Sequence, residues 1–538
     1  MANSTRYFGG YEPFHRTIPA AGIGTWVLDY TVSSRFTAFK LPESLPNANI
    51  PIQFQKLTHT PTGQENALSS ADNTSVTMVA YQGKPARKIS LTKAAPFGWA
   101  AAIILALTSF MDRIEQSILA GVLPSLKDDF GWSDFQLGSL NTGAGIAGVI
   151  LLFLSARIAS QVNRTKALAV ILLSWSLLSF ASGIAVGFAM LLGIRILLGA
   201  AGAFNNPLAG SLLGDYYPRS GRSRAYGLER LAYYIANPVG VAAGAAIAAA
   251  FGWRAAFFVL VIPGVIVAGL VLLLKEPVRG VADRLDAIKQ GVDAETIIAE
   301  NTSEESAVLE KYSLWSKDIW NDFKALLRIP TLRAVAISQA ALFFGLGGIL
   351  FFTPLYLVKD YGVGEAEAGS IAGAVGGSGI LVGIGIGIFL GDRYAARRPG
   401  WRLTLSAIGL AVGAVGVVIF GIGLPLPIAI AGFLLLNVGF SSSLPSIAAA
   451  IADLSPNALR GQSFALFQFI ATAASATGPL VLGFVSDQTG IRGLAFVACV
   501  IPLVYASVVG FKGRVNYKSD EERVINDAIS TKSGPEIV

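Results

Sequence analysis

The chain has 538 residues, 53% of them hydrophobic and only 14% charged, with a mean hydropathy of +0.58; this excludes an ordinary water-soluble globular protein and places most of the chain in lipid. The formal charge of +7 does not point to nucleic acid, because the arginines stand in short loops between apolar segments, where membrane proteins carry them. One cysteine, Cys499, allows no disulfide within the chain, and two histidines, His15 and His59, form no Cys/His cluster, so neither a metal site nor a cofactor is expected.

Residues 1–95 are polar to mixed and hold no stretch apolar enough to span a bilayer. They are expected to form a disordered cytoplasmic tail, with a start of translation at Met78 as an open alternative. From Pro96 onward, apolar segments long enough to cross a hydrocarbon core of ~30 Å alternate with short loops. Twelve spans are expected, near 96–124, 134–154, 166–186, 189–214, 225–250, 254–274, 333–358, 365–390, 402–423, 425–452, 460–485 and 491–511. The organisation that follows is a six-span bundle over 96–274, a cytoplasmic linker over 275–332, a second six-span bundle over 333–511 and a cytoplasmic tail over 512–538.

Span 1 carries Asp112, Arg113 and Glu115 about midway along its length, and span 4 carries Arg195. A charge at mid-membrane costs roughly 2.5–3.5 kcal/mol, so these residues are candidates for proton or cation coupling. Asp112 or Glu115 is expected to face Arg195, with a protonation switch and a static ion pair both open. Span 5 offers Tyr233, Tyr234 and Asn237, span 7 Gln339, Phe343 and Tyr356, span 10 Asn437, and span 11 Gln468 as candidate lining of a substrate cavity. Packing is the competing role for the aromatic residues.

Within the linker, Val308, Leu309, Tyr312, Trp315, Ile319, Phe323 and Leu326 recur at helical spacing with Lys and Asp between them. The pattern predicts an amphipathic helix, lying either on the membrane face or on the protein's own loops. Lys and Arg gather in the loops after spans 2, 4 and 8, which places those loops and both termini in the cytoplasm.

The chain repeats itself. Asp215-x-x-Pro218-x-x-x-Arg222 after span 4 matches Asp453-x-x-Pro456-x-x-x-Arg460 after span 10 at an offset of 238 residues, and the same offset carries Gly252-Trp-Arg254 onto Gly490-Ile-Arg492. A duplication of six spans relates the halves by an axis along the membrane normal, with a central path between them. The loop Asp and Arg are expected to pair at the cytoplasmic helix ends and to latch one conformation.

Together these features resemble the major facilitator superfamily, over nearly everything from Pro96 to Phe511. The loop Gly387-x-x-x-Gly391-Asp392-Arg393-x-x-x-Arg397-Arg398 looks like that superfamily's gating motif. Its counterpart, from Ser155 through Arg157, Ser160 and Arg164 to Lys166, has Ser160 where the motif has Asp, so the second-half latch is expected to carry more weight. Arg195-x-x-x-Gly199 is similar to the superfamily's span-4 pattern. Asp112-Arg113, Ala120-Gly-Val-Leu-Pro124 and Glu276-Pro-Val-Arg-Gly280 resemble the Spinster-like branch, with Gly202 where that branch usually has Glu.

The resemblance implies an all-α membrane protein of two pseudo-symmetric six-helix bundles working by alternating access, a multi-pass monomer in the cell membrane and not an enzyme. The implied cargo is a lipid-like amphiphile such as a lysolipid, with a proton or cation as coupling ion; organic-anion symport and drug efflux stand as alternatives.

Overall fold

Without water to hydrogen-bond the backbone, an apolar run in lipid satisfies its own N–H and C=O groups as a helix. The computed structural model, which describes residues 98–277, 281, 317–395, 398, 400–456 and 459–530, is helical almost throughout, with no strand among those residues. Residues 1–95 and most of the linker, Trp315 included, lie outside the described residues.

The first half comprises span 1 (Ala100–Phe130), span 2 (Asp134–Gln161), span 3 (Arg164–Gly183), span 4 in two segments (Phe188–Gly202 and Asn205–Tyr216), span 5 (Arg219–Phe251) and span 6 (Trp253–Leu272). The second comprises span 7 (Pro330–Tyr361), span 8 (Glu365–Ser370 continuing through a π turn into Gly376–Ala395), span 9 (Trp401–Gly421), span 10 (Leu426–Leu454), span 11 (Arg460–Thr489) and span 12 (Arg492–Ala498 and Val500–Ser530). Eleven of these are apolar enough to cross a membrane by composition alone. Span 1, at 31 residues and about 46 Å, has the length, and its mid-span charges are what set it apart.

Local chemistry sets the ends. Ser133 and Gln136 form a reciprocal capping box at the start of span 2, and the Asn163 side chain accepts the Lys166 amide at the start of span 3. Gly131 and Gly362 close spans 1 and 7 at φ of 65° and 69°, a left-handed conformation that favours glycine. Gly240 on span 5 packs on span 1, and Gly478 on span 11 packs on span 7. A Cβ on Gly478 would stand 2.3 Å from the Phe344 carbonyl, so these helices touch backbone to backbone.

Two boundaries differ from expectation. The last helix runs past 511 to Ser530, because Tyr517 donates to Asp453 at 2.7 Å and Asp520 accepts from the Thr331 amide and hydroxyl at 3.1 and 2.6 Å, tying the extension to the start of span 7. In the linker, the described helix Lys317–Arg328 buries Phe323 and Leu326, which favours packing on the protein itself, while Trp320 stays 47% exposed.

The halves meet toward one face, where span 1 ends and span 2 begins. Asp134 is the hub: it accepts from Ser486 at 2.6 Å, pairs with Arg492 at 2.9 Å and is held by Lys127 at 2.5 Å. Asp487 accepts the amides of Asp134 and Phe135 at 2.9 and 2.8 Å, capping span 2 from the other half. Ser125 donates to Glu365 at 2.6 Å, and Lys359 pairs with Asp128. Toward the bilayer centre, Thr142 donates to the Ala476 carbonyl at 2.6 Å, and a Cβ on Gly373 would be 2.6 Å from the Pro238 carbonyl. The polar bridges described between the halves all lie on this side.

Candidate substrate and coupling site

Helical periodicity sends the three charges of span 1 in different directions. Glu115 points into the first bundle, where it accepts from Arg195 at 3.1 Å; both side chains are almost wholly buried, at 8% and 3% exposure. The Arg195 guanidinium lies 5.1 Å from the Phe257 ring, and its Nε and Nη2 have no hydrogen-bond partner among the described residues. A cavity lined by Glu115, Met111, Trp175, Ser176 and Ser179 adjoins the pair. Arg195 is thus sealed inside the bundle.

Asp112 takes the place beside the break in span 4. Its Oδ1 accepts from Gln116 at 2.8 Å, and a Cβ on Gly202 would come 3.4 Å from the same oxygen. Asn205, which opens the second segment of span 4, is fully buried beside it. Of the two expected carboxylates it is therefore Glu115, not Asp112, that meets Arg195.

Arg113 faces span 5. Its Nη1 donates to Gln116 Oε1 at 3.1 Å, so Gln116 bridges the acid and the base, and its guanidinium lies 5.2 Å from the centre of the Tyr233 ring. The Arg230 guanidinium approaches the same ring at 5.9 Å, and Tyr234 stands edge-on to Tyr233 at 5.8 Å. Two cations share one aromatic ring, an arrangement favoured by the ring's negative face. Arg230 and Gln116 are exposed well inside their helices, and a charged or amide group there faces a watery path rather than lipid. Gln116 and Arg230 are not among the sequence candidates; a polar residue one helical turn from Asp112 was the available signal for Gln116.

The second half contributes differently. Gln468 is exposed on span 11, donating to Thr472 at 3.1 Å, and Phe464, one turn earlier, is 44% exposed; Phe343 on span 7 is half-buried. Three expected cavity residues are instead packing groups. Gln339 is buried with its amide donating to the Phe467 carbonyl at 2.8 Å, Tyr356 packs on Phe420 and Phe496 and donates to the Phe420 carbonyl at 3.2 Å, and Asn437 donates to Phe433 within its own helix. Each directs its donor to a carbonyl inside the second bundle, while Gln339 Oε1 and Asn437 Oδ1 are buried without a hydrogen-bond partner among the described residues. Asn237 lines a cavity with Pro238, Leu350, Gly376 and Phe433, where the two halves meet.

At the opposite ends of the helices, away from the sealed face, the duplicated acids are latched by arginines. Arg164, at 1% exposure, pairs with Asp215, donates to Glu276 at 2.7 Å and also reaches Ser211 and the Pro277 carbonyl. Glu276 in turn accepts the Thr165 amide at 2.9 Å; burial pushes its carboxyl up, but that amide and Arg164 outweigh burial and hold it below the usual carboxylate range. In the second half Arg402 pairs with Asp453. Arg164 and Arg402 stand at the same 238-residue offset as Asp215 and Asp453, so the repeat itself pointed to Arg402. Arg222 donates to the Gly214 and Tyr217 carbonyls at 2.7 and 3.2 Å, closing the end of span 4, and the Arg460 side chain lies outside the described residues.

The family profile described as Major Facilitator Superfamily matches residues 105–469. The chain belongs to the Major Facilitator Superfamily. It is 26% identical over 399 residues to an MFS-type efflux pump of Mycolicibacterium smegmatis, covering 72% of this chain and 85% of the relative. It is 25% identical over 422 residues to the hexuronate transporter of Bacillus subtilis, covering 76% and 92%. Among solved structures, the inward-facing and occupied form of a bacterial homolog of the human lysosomal transporter Spinster aligns at a TM-score of 0.65 with 20% identity, covering 78% of this chain and 97% of that one. The fold expected from the Spinster-like resemblance is thus the fold observed.

In this superfamily member the motif at the end of span 8 places Gly391 against span 10, where a Cβ would meet Ser446 Oγ at 3.6 Å, and sets Arg393 5.7 Å from the Phe389 ring. The side chains of Asp392, Arg397 and Ser160 lie outside the described residues.

Proposed function

We propose that this chain is a secondary active transporter working by alternating access, and that its cargo is an organic anion with an apolar body. The reading rests on one observation: Arg113 and Arg230 converge on Tyr233, and neither is sealed inside the bundle as Arg195 is. A carboxylate or phosphate head would dock between the two guanidinium groups, with its apolar body against Phe343 and Phe464 of the second half. The hexuronate specificity named for one relative agrees with an anionic head; the efflux pump leaves the apolar body open.

The Lys and Arg of the even-numbered loops support a cell-membrane orientation with both termini cytoplasmic. In that orientation the sealed face is the outer one, and the site opens inward. Asp112, linked through Gln116 to Arg113, is the group assigned to the coupling proton or cation, while Glu115 and Arg195 fix the helices around it.

The test uses purified full-length protein in nanodiscs and two matched pairs, lysophosphatidate with monoacylglycerol and D-glucuronate with glucose. An anion that stabilises the protein while its neutral partner does not, with at least tenfold weaker binding in Arg113→Gln/Arg230→Gln, supports the reading; the pair that responds separates a lipid from a sugar acid. Equal binding of neutral and anionic partners, or an unaffected double variant, overturns it. For the coupling role, Asp112→Asn is expected to bind the anion yet lose the response of uptake to an imposed pH or cation gradient.

A further inference from the structure

Glu229 is a mid-membrane carboxylate that the transport scheme above leaves unused. It sits on span 5 between the two walls of the anion site, with a side chain only 4% exposed. Its Oε1 accepts from Ser109 on span 1 at 2.7 Å. Its Oε2 has no hydrogen-bond partner among the described residues and lies 3.2 Å from Nε of Arg230, whose own side chain is 52% exposed. One oxygen is anchored to the bundle; the other is turned to a cation that reaches into the path.

We propose that Glu229 is a resident counter-anion, which neutralises Arg230 while the carrier is empty and yields it to the anionic head of the cargo. The proposal rests on the anion reading of the site. When access passes from one side to the other, the path closes and water leaves it, and a lone guanidinium at mid-membrane is then costly. A loaded carrier meets that cost with the cargo's negative charge. An empty carrier needs a charge of its own, and Glu229 is in place to supply it, the Ser109 hydroxyl keeping the carboxylate on the wall when Arg230 swings away. Arg113 is provided for separately, since Gln116 joins it to Asp112. Glu229 is therefore a positioning residue: it competes with the cargo for Arg230 and makes the empty return step possible.

The roles separate in reconstituted vesicles, using radiolabelled lysophosphatidate, scored by albumin extraction of the outer leaflet, and D-glucuronate in parallel. Glu229→Gln removes the competitor, so anion binding tightens, by about tenfold for the loss of one charge-assisted contact. Exchange of labelled for unlabelled anion continues, because both crossings are loaded, while net transport, which needs the empty return, falls by at least tenfold. Glu229→Asp keeps the charge and recovers part of the net rate. Ser109→Ala releases the carboxylate to engage Arg230 with both oxygens and weakens anion binding, the opposite direction, in a protein whose charge is unchanged. A merely structural Glu229 would weaken binding and slow exchange and net transport together. Unchanged or weaker binding in Glu229→Gln, or exchange lost in proportion to net transport, overturns the assignment while leaving the anion site standing. If Glu229→Gln does not fold, unchanged binding in Ser109→Ala overturns it equally. Failure of the wild-type protein to bind either anion removes the site reading and this inference with it.

Discussion

Replacing Arg164 by Met removes the only cation hydrogen-bonded to both Asp215 and Glu276 among the described residues, and the cost is calculable from burial. Breaking a fully buried ion pair from one side costs about 3–5 kcal/mol. Here the arginine is 1% exposed but its acids are 14% and 26% exposed, so part of their charge returns to water, and about 2–4 kcal/mol is expected. The symmetry-related Arg402→Met offers the internal control. That pair is 23% and 31% exposed, and Asp453 keeps the Tyr517 hydroxyl, so about 1 kcal/mol is expected. At roughly 1 °C per kcal/mol for a chain of this size, thermal unfolding of the detergent-solubilised protein should fall by about 2–4 °C for Arg164→Met and by about 1 °C for Arg402→Met. An equal or larger loss for Arg402→Met would refute the argument that burial and partner number set the strength of these latches. It would also restore the expectation, drawn from the imperfect motif around Ser160, that the second-half latch is the stronger.

Glu276 makes the first-half latch sensitive to acid: a carboxyl held below its unfolded value contributes stability at neutral pH that is lost as pH falls through its folded value, so wild type should lose thermal stability below about pH 4 more steeply than Glu276→Gln. The melting temperature of both proteins between neutral and acid pH measures this, and parallel curves would exclude Glu276 as the titrating group. Gly478→Ala forces a Cβ to within 2.3 Å of a backbone carbonyl and should cost about 1–3 kcal/mol, whereas Gly385→Ala, with open space around it, should fall within about 0.5 kcal/mol of wild type. Asp134→Asn removes the hub of the sealed face. A cysteine placed at Gln116 in a Cys499→Ser background should then react about tenfold faster with an impermeant thiol reagent added from that face, as expected for a shift of about 1.4 kcal/mol in the opening equilibrium.

Where composition carries the information, the sequence was enough. Lipid leaves an apolar run of twenty residues one structure, so span positions followed from length, and the repeat told the pairing of halves. The break in span 4 at Ala203–Phe204 was not legible, because Gly-Ala-Ala-Gly is as compatible with a packed helix as with an interrupted one. Nor could polarity distinguish Gln339 and Asn437, which satisfy neighbouring carbonyls, from Gln468, which lies open; all three are amides in apolar helices, and only the angular position of the helix separates them. The Asp134 hub was missed for a different reason. Lys127, Ser486 and Arg492 stand at the ends of three helices, the first more than 350 residues from the other two, and each reads by itself as an ordinary helix end.

The duplication explains why the site is lopsided. At the helix ends the two halves kept matching charges: Arg164 with Asp215 and Arg402 with Asp453 on one side, Arg254 with Asp129 and Arg492 with Asp360 on the other. Those pairs hold a frame that both halves need. In mid-membrane the halves diverged. Aligning spans 1 and 7 by their terminal glycines, Gly131 and Gly362, sets Asp112 and Arg113 opposite Phe343 and Phe344, and the 238-residue register sets Arg195 opposite Phe433 and Glu229 opposite Phe467. Four of the six mid-span charges of the first half thus meet an aromatic side chain at the equivalent place in the second, while Glu115 falls opposite Leu346 and Arg230 opposite Gln468. A cargo charged throughout would leave Phe343 and Phe464 facing ions, and a wholly apolar cargo would bring no negative charge of its own to Arg113 and Arg230 once the path dried. On the proposed anion reading, a molecule with an anionic end and an apolar end satisfies both walls at once, where the two bundles, built on one pattern, differ.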